Sequence, residues 1–147
     1  MKNTVKTLLS GLTTLAVTFS ALSFTALATE NKDTNDMTEL IISSQEAYAG
    51  DIVTVTVGIK NNPGITAFGA VLNYDSELEF VEYENTGLLS MLGIENSANY
   101  IIVAGASASG DSNDEVIVNL YFKTPEDSEE GTVYEINWHY IDLLASD

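Results

Sequence analysis

From Ile52 to Lys60 the chain alternates without a slip, with Val53, Val55, Val57 and Ile59 on one parity and Thr54, Thr56, Gly58 and Lys60 on the other. Side chains of an extended strand point alternately to its two faces, so a period of two describes a strand with one face in an apolar core and the other in water. Glu115 to Lys123 reads the same way, with Val116, Val118, Leu120 and Phe122 inward and Ile117, Asn119, Tyr121 and Lys123 outward. A third strand over 132–141 sets Tyr134, Ile136, Trp138 and Tyr140 opposite Glu135, Asn137 and His139. Less regular strands are expected over 39–44, 67–74, 78–84 and 99–108. In 78–84 the alternation slips between Phe80 and Val81, as a β-bulge causes. Turn chemistry separates these segments at Ala49-Gly50-Asp51, Asn61-Asn62-Pro63-Gly64, Ser109-Gly110-Asp111 and Glu129-Glu130-Gly131. The stretch 87–95 is the one candidate for a helical turn. Seven or so short strands without a convincing helix predict an all-β domain of two packed sheets, a β-sandwich.

The N-terminus has a different character. Lys2 and Lys6 precede an apolar run over 8–27, and Ala26-Leu27-Ala28 supplies the small residues read by signal peptidase. Residues 1–28 therefore read as a secretory signal. A retained membrane span is the weaker reading, because Thr and Ser interrupt the run and a polar segment follows it. Residues 29–37 read as a polar linker, and 38–147 as one domain. Removing the signal leaves three lysines and no arginine against 22 carboxylates, a net charge of −19. Such a field repels nucleic acid and anionic membrane, excluding both as partners, and favours a cationic partner or simple solubility. With no cysteine, the exported domain relies on its core rather than on disulfides.

Several chemistries fail on residue type. His139 is the only histidine and sits on a polar parity, so a catalytic triad or multi-histidine metal site cannot be assembled. A thiol nucleophile and a cysteine zinc cluster are excluded. No carboxylate lies in a recognisable glycosidase motif. Asp111-Ser112-Asn113-Asp114-Glu115 offers oxygen atoms but lacks the glycine and spaced glutamate of a calcium loop, and reads as a solvated hairpin turn. The chain is therefore read as non-catalytic, with no cofactor. Tyr134, Trp138 and Tyr140 share parity with Ile136, which makes them core residues before a sugar-stacking strip.

Ala49-Gly50-Asp51-Ile52-Val53-Thr54-Val55-Thr56-Val57, then Asn61-Asn62-Pro63-Gly64-Ile65, then Leu72-Asn73-Tyr74-Asp75 and Leu78-Glu79-Phe80-Val81, resemble in order and spacing the opening half of a cohesin domain. The later segments Ile101 to Ala106, Val116 to Lys123 and Gly131 to Trp138 follow the same family order. The resemblance implies a jelly-roll sandwich and capture of a dockerin-bearing enzyme or scaffold protein, in an extracellular cellulosome-type assembly for polysaccharide breakdown. The dockerin would carry its own calcium. A carbohydrate-binding module on the same sandwich fold is the alternative.

Two departures from the family are visible. A final strand that pairs near the first is missing after 138–147, which predicts an unpaired sheet edge. Several relatives grip their partner with an Asn and an Asp on the strand that ends in Tyr-Asp, and Ala67 and Gly69 stand at those positions here. The expected partner-binding set is Ala67, Gly69, Val71 and Asn73 on that strand, with Val103, Gly105, Ser107 and Ala108 on its neighbour. This describes a flat face of small residues on which a helix can lie close. Arginine at Gly69 or Gly105 is expected to block capture without unfolding the domain.

Overall fold

The computed structural model describes residues 37–145, together with the backbone of two short strands, β1 (Leu12–Thr13) and β2 (Leu22–Phe24). The other residues of 1–28, residues 29–36 and residues 146–147 lie outside the described residues. Among the described residues no helix is long and apolar enough to cross a membrane. The domain is built from β3 (Thr38–Ile42), β4 (Ala47–Tyr48), β5 (Ile52–Lys60), β6 (Ile65–Tyr74), β7 (Glu79–Asn85), β8 (Met91–Ser97), β9 (Tyr100–Asp111), β10 (Glu115–Lys123) and β11 (Ile136–Ala145). Two antiparallel sheets form a sandwich, one ordered β2-β3-β5-β10-β7 and the other β11-β6-β9-β8.

β5 is the strand its alternation predicts: Val53, Val55, Val57 and Ile59 are buried and the intervening residues are not. It lies between β3 and β10, so its apolar face has partners on both sides and the opposite sheet above it. Phe122 is fully buried, 5.2 Å from the Tyr74 ring and 5.6 Å from Phe80 between centroids. The tilted Tyr74–Phe122 contact joins the two sheets at the centre of the core, and the edge-on Phe80–Phe122 contact packs neighbouring strands of one sheet.

Bulges account for most departures from simple alternation. Tyr121 pairs with Glu82 and Phe122 with Phe80, so Val81 is the extra residue on β7, at the predicted slip. On β10 the register shifts between Val116 and Val118, which turns Ile117 into the core at zero exposure and leaves Val116 half-exposed, the reverse of the expectation. β11 has the largest correction. It begins at Ile136, four residues later than predicted, and its register against β6 shifts between Trp138 and Tyr140. His139 is the extra residue, so Tyr140 emerges on the outer face while Tyr134, Ile136 and Trp138 stay inside or against the core. Tyr134 keeps its core position from the preceding loop, its hydroxyl 2.6 Å from Ser128 Oγ. Residues 91–97, expected near a helical turn, are strand β8, hydrogen-bonded along β9.

The β5–β6 crossing is organised by Asn62, which is buried. Its side-chain amide donates to the carbonyls of Asp111 (2.7 Å) and Asn113 (2.8 Å), and its Oδ1 accepts from the backbone N–H of Gly64 and Ile65. Asn61 (φ 49°) and Gly64 (φ 85°) take the left-handed backbone this reversal needs. Gly110 meets Gly64 backbone to backbone, a Cβ on Gly110 falling 2.2 Å from the Gly64 carbonyl oxygen. The 111–115 segment is thus a hydrogen-bonded turn, but it carries the chain from one sheet to the other rather than closing a hairpin. The β3 edge carries the backbone of Leu22–Phe24, with Leu22 opposite Leu40 and Phe24 opposite Thr38, and these residues lie within the segment read as a signal, so the edge is expected to be unpaired in the chain without it.

Candidate protein-binding face

The outer surfaces of the two sheets differ in kind. On the five-stranded sheet Thr56 donates to Asn119, and Glu84 accepts from both Asn119 and Tyr121 at 3.1 Å. The Glu84 hydrogen bond holds the Tyr121 proton and pushes its pKa above the usual tyrosine value. Polar side chains satisfying one another make a surface suited to water.

The outer surface of the four-stranded sheet has a centre without such groups, its polar residues lying toward one end and on the edge strands. Phe68, Ala70 and Leu72 of β6 are buried, so Ala67, Gly69, Val71 and Asn73 face outward, as their parity predicts. Pairing register extends each of them across the sheet. Leu144, Ala67, Ala106 and Met91 form one row, Asp142, Gly69, Ala104 and Gly93 the next, Tyr140, Val71, Ile102 and Glu95 a third, and the polar Asn137, Asn73, Tyr100 and Ser97 a fourth at one end. Large apolar side chains flank a low centre: Met91 is 68% exposed, Leu144 64% and Tyr140 57%.

On β9 the structure corrects the expected set. Val103 has no exposure and Ile101 none, so the outward residues are Ile102, Ala104 and Ala106 rather than Val103 and Gly105. Gly105 points inward: a Cβ there would lie 2.8 Å from Leu89 Cδ1 and 2.9 Å from the Met91 carbonyl oxygen. Its smallness serves packing, and arginine at Gly105 would disrupt the core instead of only blocking a partner. Ser107 and Ala108 fall in the stretch where the β6–β9 register shifts, past the last row of the flat face. The run Ile101-Ile102-Val103-Ala104-Gly105-Ala106 contains no polar residue, so alternation alone cannot set its phase.

Gly69 and Gly93 are different from Gly105. A Cβ on Gly93 would meet nothing within 4 Å, and one on Gly69 only Asp142 Cβ at 4.0 Å. The fold has room for side chains at both, so their absence shapes the outer surface and not the core. Tyr74, at the end of β6, anchors β8 from beneath, its hydroxyl proton directed to Asn96 Oδ1 (2.8 Å) with the Ser97 carbonyl at 3.0 Å. Burial pushes the Tyr74 pKa up, partly offset by the Asn96 hydrogen bond. The charged residues in these rows are the carboxylates Asp142 and Glu95. Among the described residues no group of three or more His, Asp or Glu is gathered as a metal site.

Comparison with known families is specific: the Cohesin domain family matches residues 38–141, and the chain belongs to that family, whose members are non-catalytic binding modules. Solved structures agree in fold. A cohesin from Clostridium thermocellum, described in a type I cohesin–dockerin complex of OlpA with Doc918, is 20% identical, with a TM-score of 0.65 over 71% of this chain and 83% of that one. The third cohesin of ScaC from Acetivibrio cellulolyticus, in complex with the ScaB dockerin, is 20% identical, with a TM-score of 0.61 over 67% of this chain and 78% of that one. A non-cellulosomal cohesin from the archaeon Archaeoglobus fulgidus is 18% identical, with a TM-score of 0.50 over 61% of this chain and 81% of that one. No curated protein sequence matches the chain.

Proposed function

We propose that this cohesin captures a dockerin-bearing enzyme or scaffold protein through the outer face of the β11-β6-β9-β8 sheet. The observation that carries the reading is the contrast between the two outer surfaces. One carries a hydrogen-bonded polar array at its centre, with Ile52 exposed toward one end. The other is a flat apolar floor with Met91, Tyr140 and Leu144 exposed around it. Burying such a floor against a helix releases water from apolar surface with few polar groups to desolvate. Ala67, Gly69, Val71 and Asn73 are the contact residues of β6, and Ile102, Ala104 and Ala106 those of β9. The leader at 1–28 places the domain outside the cell, where the setting is a cellulosome-type assembly acting on plant polysaccharide. The partner brings its own calcium.

The test is a pull-down from secreted proteins of the source culture with the domain as bait, alongside an insoluble-cellulose pellet. Calcium-dependent recovery of dockerin-bearing proteins is the expected result. Pelleting with cellulose and no protein partner would replace this reading with the carbohydrate-binding one.

A further inference from the structure

Resting on that reading, we infer that the partner helix is selected by charge at two points, through basic residues about three helical turns apart that flank an apolar stripe. Asp142 and Glu95 stand on the outermost strands, β11 and β8, in adjacent rows of the face. Both are exposed, and neither has a cation beside it among the described residues, where the one ion pair is Lys123–Glu126 on the other sheet. The floor between them is Gly69, Ala104, Val71 and Ile102, which offers no side-chain hydrogen bond.

The spacing follows from sheet geometry. Three inter-strand steps of about 4.8 Å span about 14 Å across the sheet, and one row along adds about 7 Å, so the carboxylates lie about 16 Å apart on a diagonal. An α-helix rises about 1.5 Å per residue, so eleven residues cover about 16.5 Å in three turns and return to the same side. A helix laid on this diagonal presents positions i and i+11 to Asp142 and Glu95, and the small and apolar residues between them to the glycine and alanine floor. A helix bearing hydroxyl or amide groups at its centre would bury them against Gly69 and Ala104 without partners, which is unfavourable. The face therefore discriminates both by attraction at its ends and by exclusion at its centre.

The test uses isolated calcium-loaded dockerins in two sets, probed by biolayer interferometry against the wild-type chain and the Glu95→Gln, Asp142→Asn and double variants. One set carries Lys or Arg eleven residues apart around Ala and Leu on a surface helix; the other carries Ser, Thr or Asn in the central positions. Binding is expected to be confined to the first set. Each single neutralisation should weaken it about threefold, mainly through the association rate, and the double variant should reduce the salt dependence, the remainder coming from the net charge of the chain. The Glu95→Lys/Asp142→Lys variant should instead prefer a first-set dockerin whose two bases are replaced by Glu. Equal binding of the second set, or first-set binding indifferent to both neutralisations, overturns the charge inference while leaving dockerin capture standing. Binding of no dockerin from either set overturns both.

Discussion

Gly105 and Gly69 differ by which side of the sheet they face, and adding one methyl group to each separates the two. In Gly105→Ala the new Cβ would sit 2.8 Å from Leu89 Cδ1 and 2.9 Å from the Met91 carbonyl oxygen. Leu89 is fully buried and can yield only by disturbing its neighbours, and Met91 is held opposite Ala106 in the β8–β9 ladder. Overpacking of this kind costs about 1–3 kcal/mol, offset by about 0.5–1 kcal/mol because alanine loses less backbone freedom than glycine on folding. A net destabilisation near 2 kcal/mol is expected if the clash is at the upper end. With unfolding entropy of about 2.1 cal/mol/K per residue over roughly 109 residues, about 0.23 kcal/mol/K in all, the midpoint should fall by about 9 °C. Gly69→Ala meets only Asp142 Cβ at 4.0 Å and should leave the midpoint unchanged or slightly higher. Calorimetric melts of both variants suffice. Gly105→Ala as stable as wild type, with Gly69→Ala destabilised, would refute the phase assigned to β9 and the face built on it.

Further consequences follow from the turns and the tyrosines. Asn62→Ala removes two donors and an acceptor that serves two backbone N–H groups in a buried crossing, and should cost about 3 kcal/mol in urea unfolding; a loss under 1 kcal/mol would show that water replaces the side chain. Tyr74 and Tyr121 hold their protons above the usual tyrosine value, the first by burial and the second through Glu84. An unfolded tyrosine ionises near pH 10, so above that pH the unfolded chain releases protons that the fold retains, and stability should decline as pH rises from about 10 through the folded-state values. Guanidine midpoints across this range should fall less steeply in Glu84→Gln; a slope unchanged by that substitution would contradict the cause given for Tyr121.

Much of the sandwich was legible because its central strands alternate. β5 shows its inward and outward residues outright, and the slip at Phe80-Val81 marked a real bulge. Legibility failed where alternation carries no information or is interrupted. Residues 101–106 of β9 are apolar on both parities, so nothing in the sequence separates Val103, which is core, from Ala104, which is surface. The bulge at His139 reverses Tyr140 without any glycine or proline to announce it, and the one near Ile117 does the same on β10. β8 was missed because its alternation is short, Leu92 and Ile94 being followed on the same parity by the polar Asn96, and its strand form comes from pairing with β9. The orientation of the candidate face was accordingly half legible: β6 turns the expected four residues outward, while Met91, Glu95, Tyr140 and Asp142 lie on the two edge strands whose form or phase depended on their neighbours.

The central claim is that a dockerin lies on this sheet face, and the most direct measurement is dockerin affinity of Gly69→Arg beside its thermal midpoint. Gly69 has room for a side chain and no structural need for glycine, so the variant should melt with the wild type. A long cation rising from the floor should hold a helix off the sheet and reduce binding by at least a hundredfold. Wild-type affinity in a folded Gly69→Arg domain would place the partner elsewhere on the molecule.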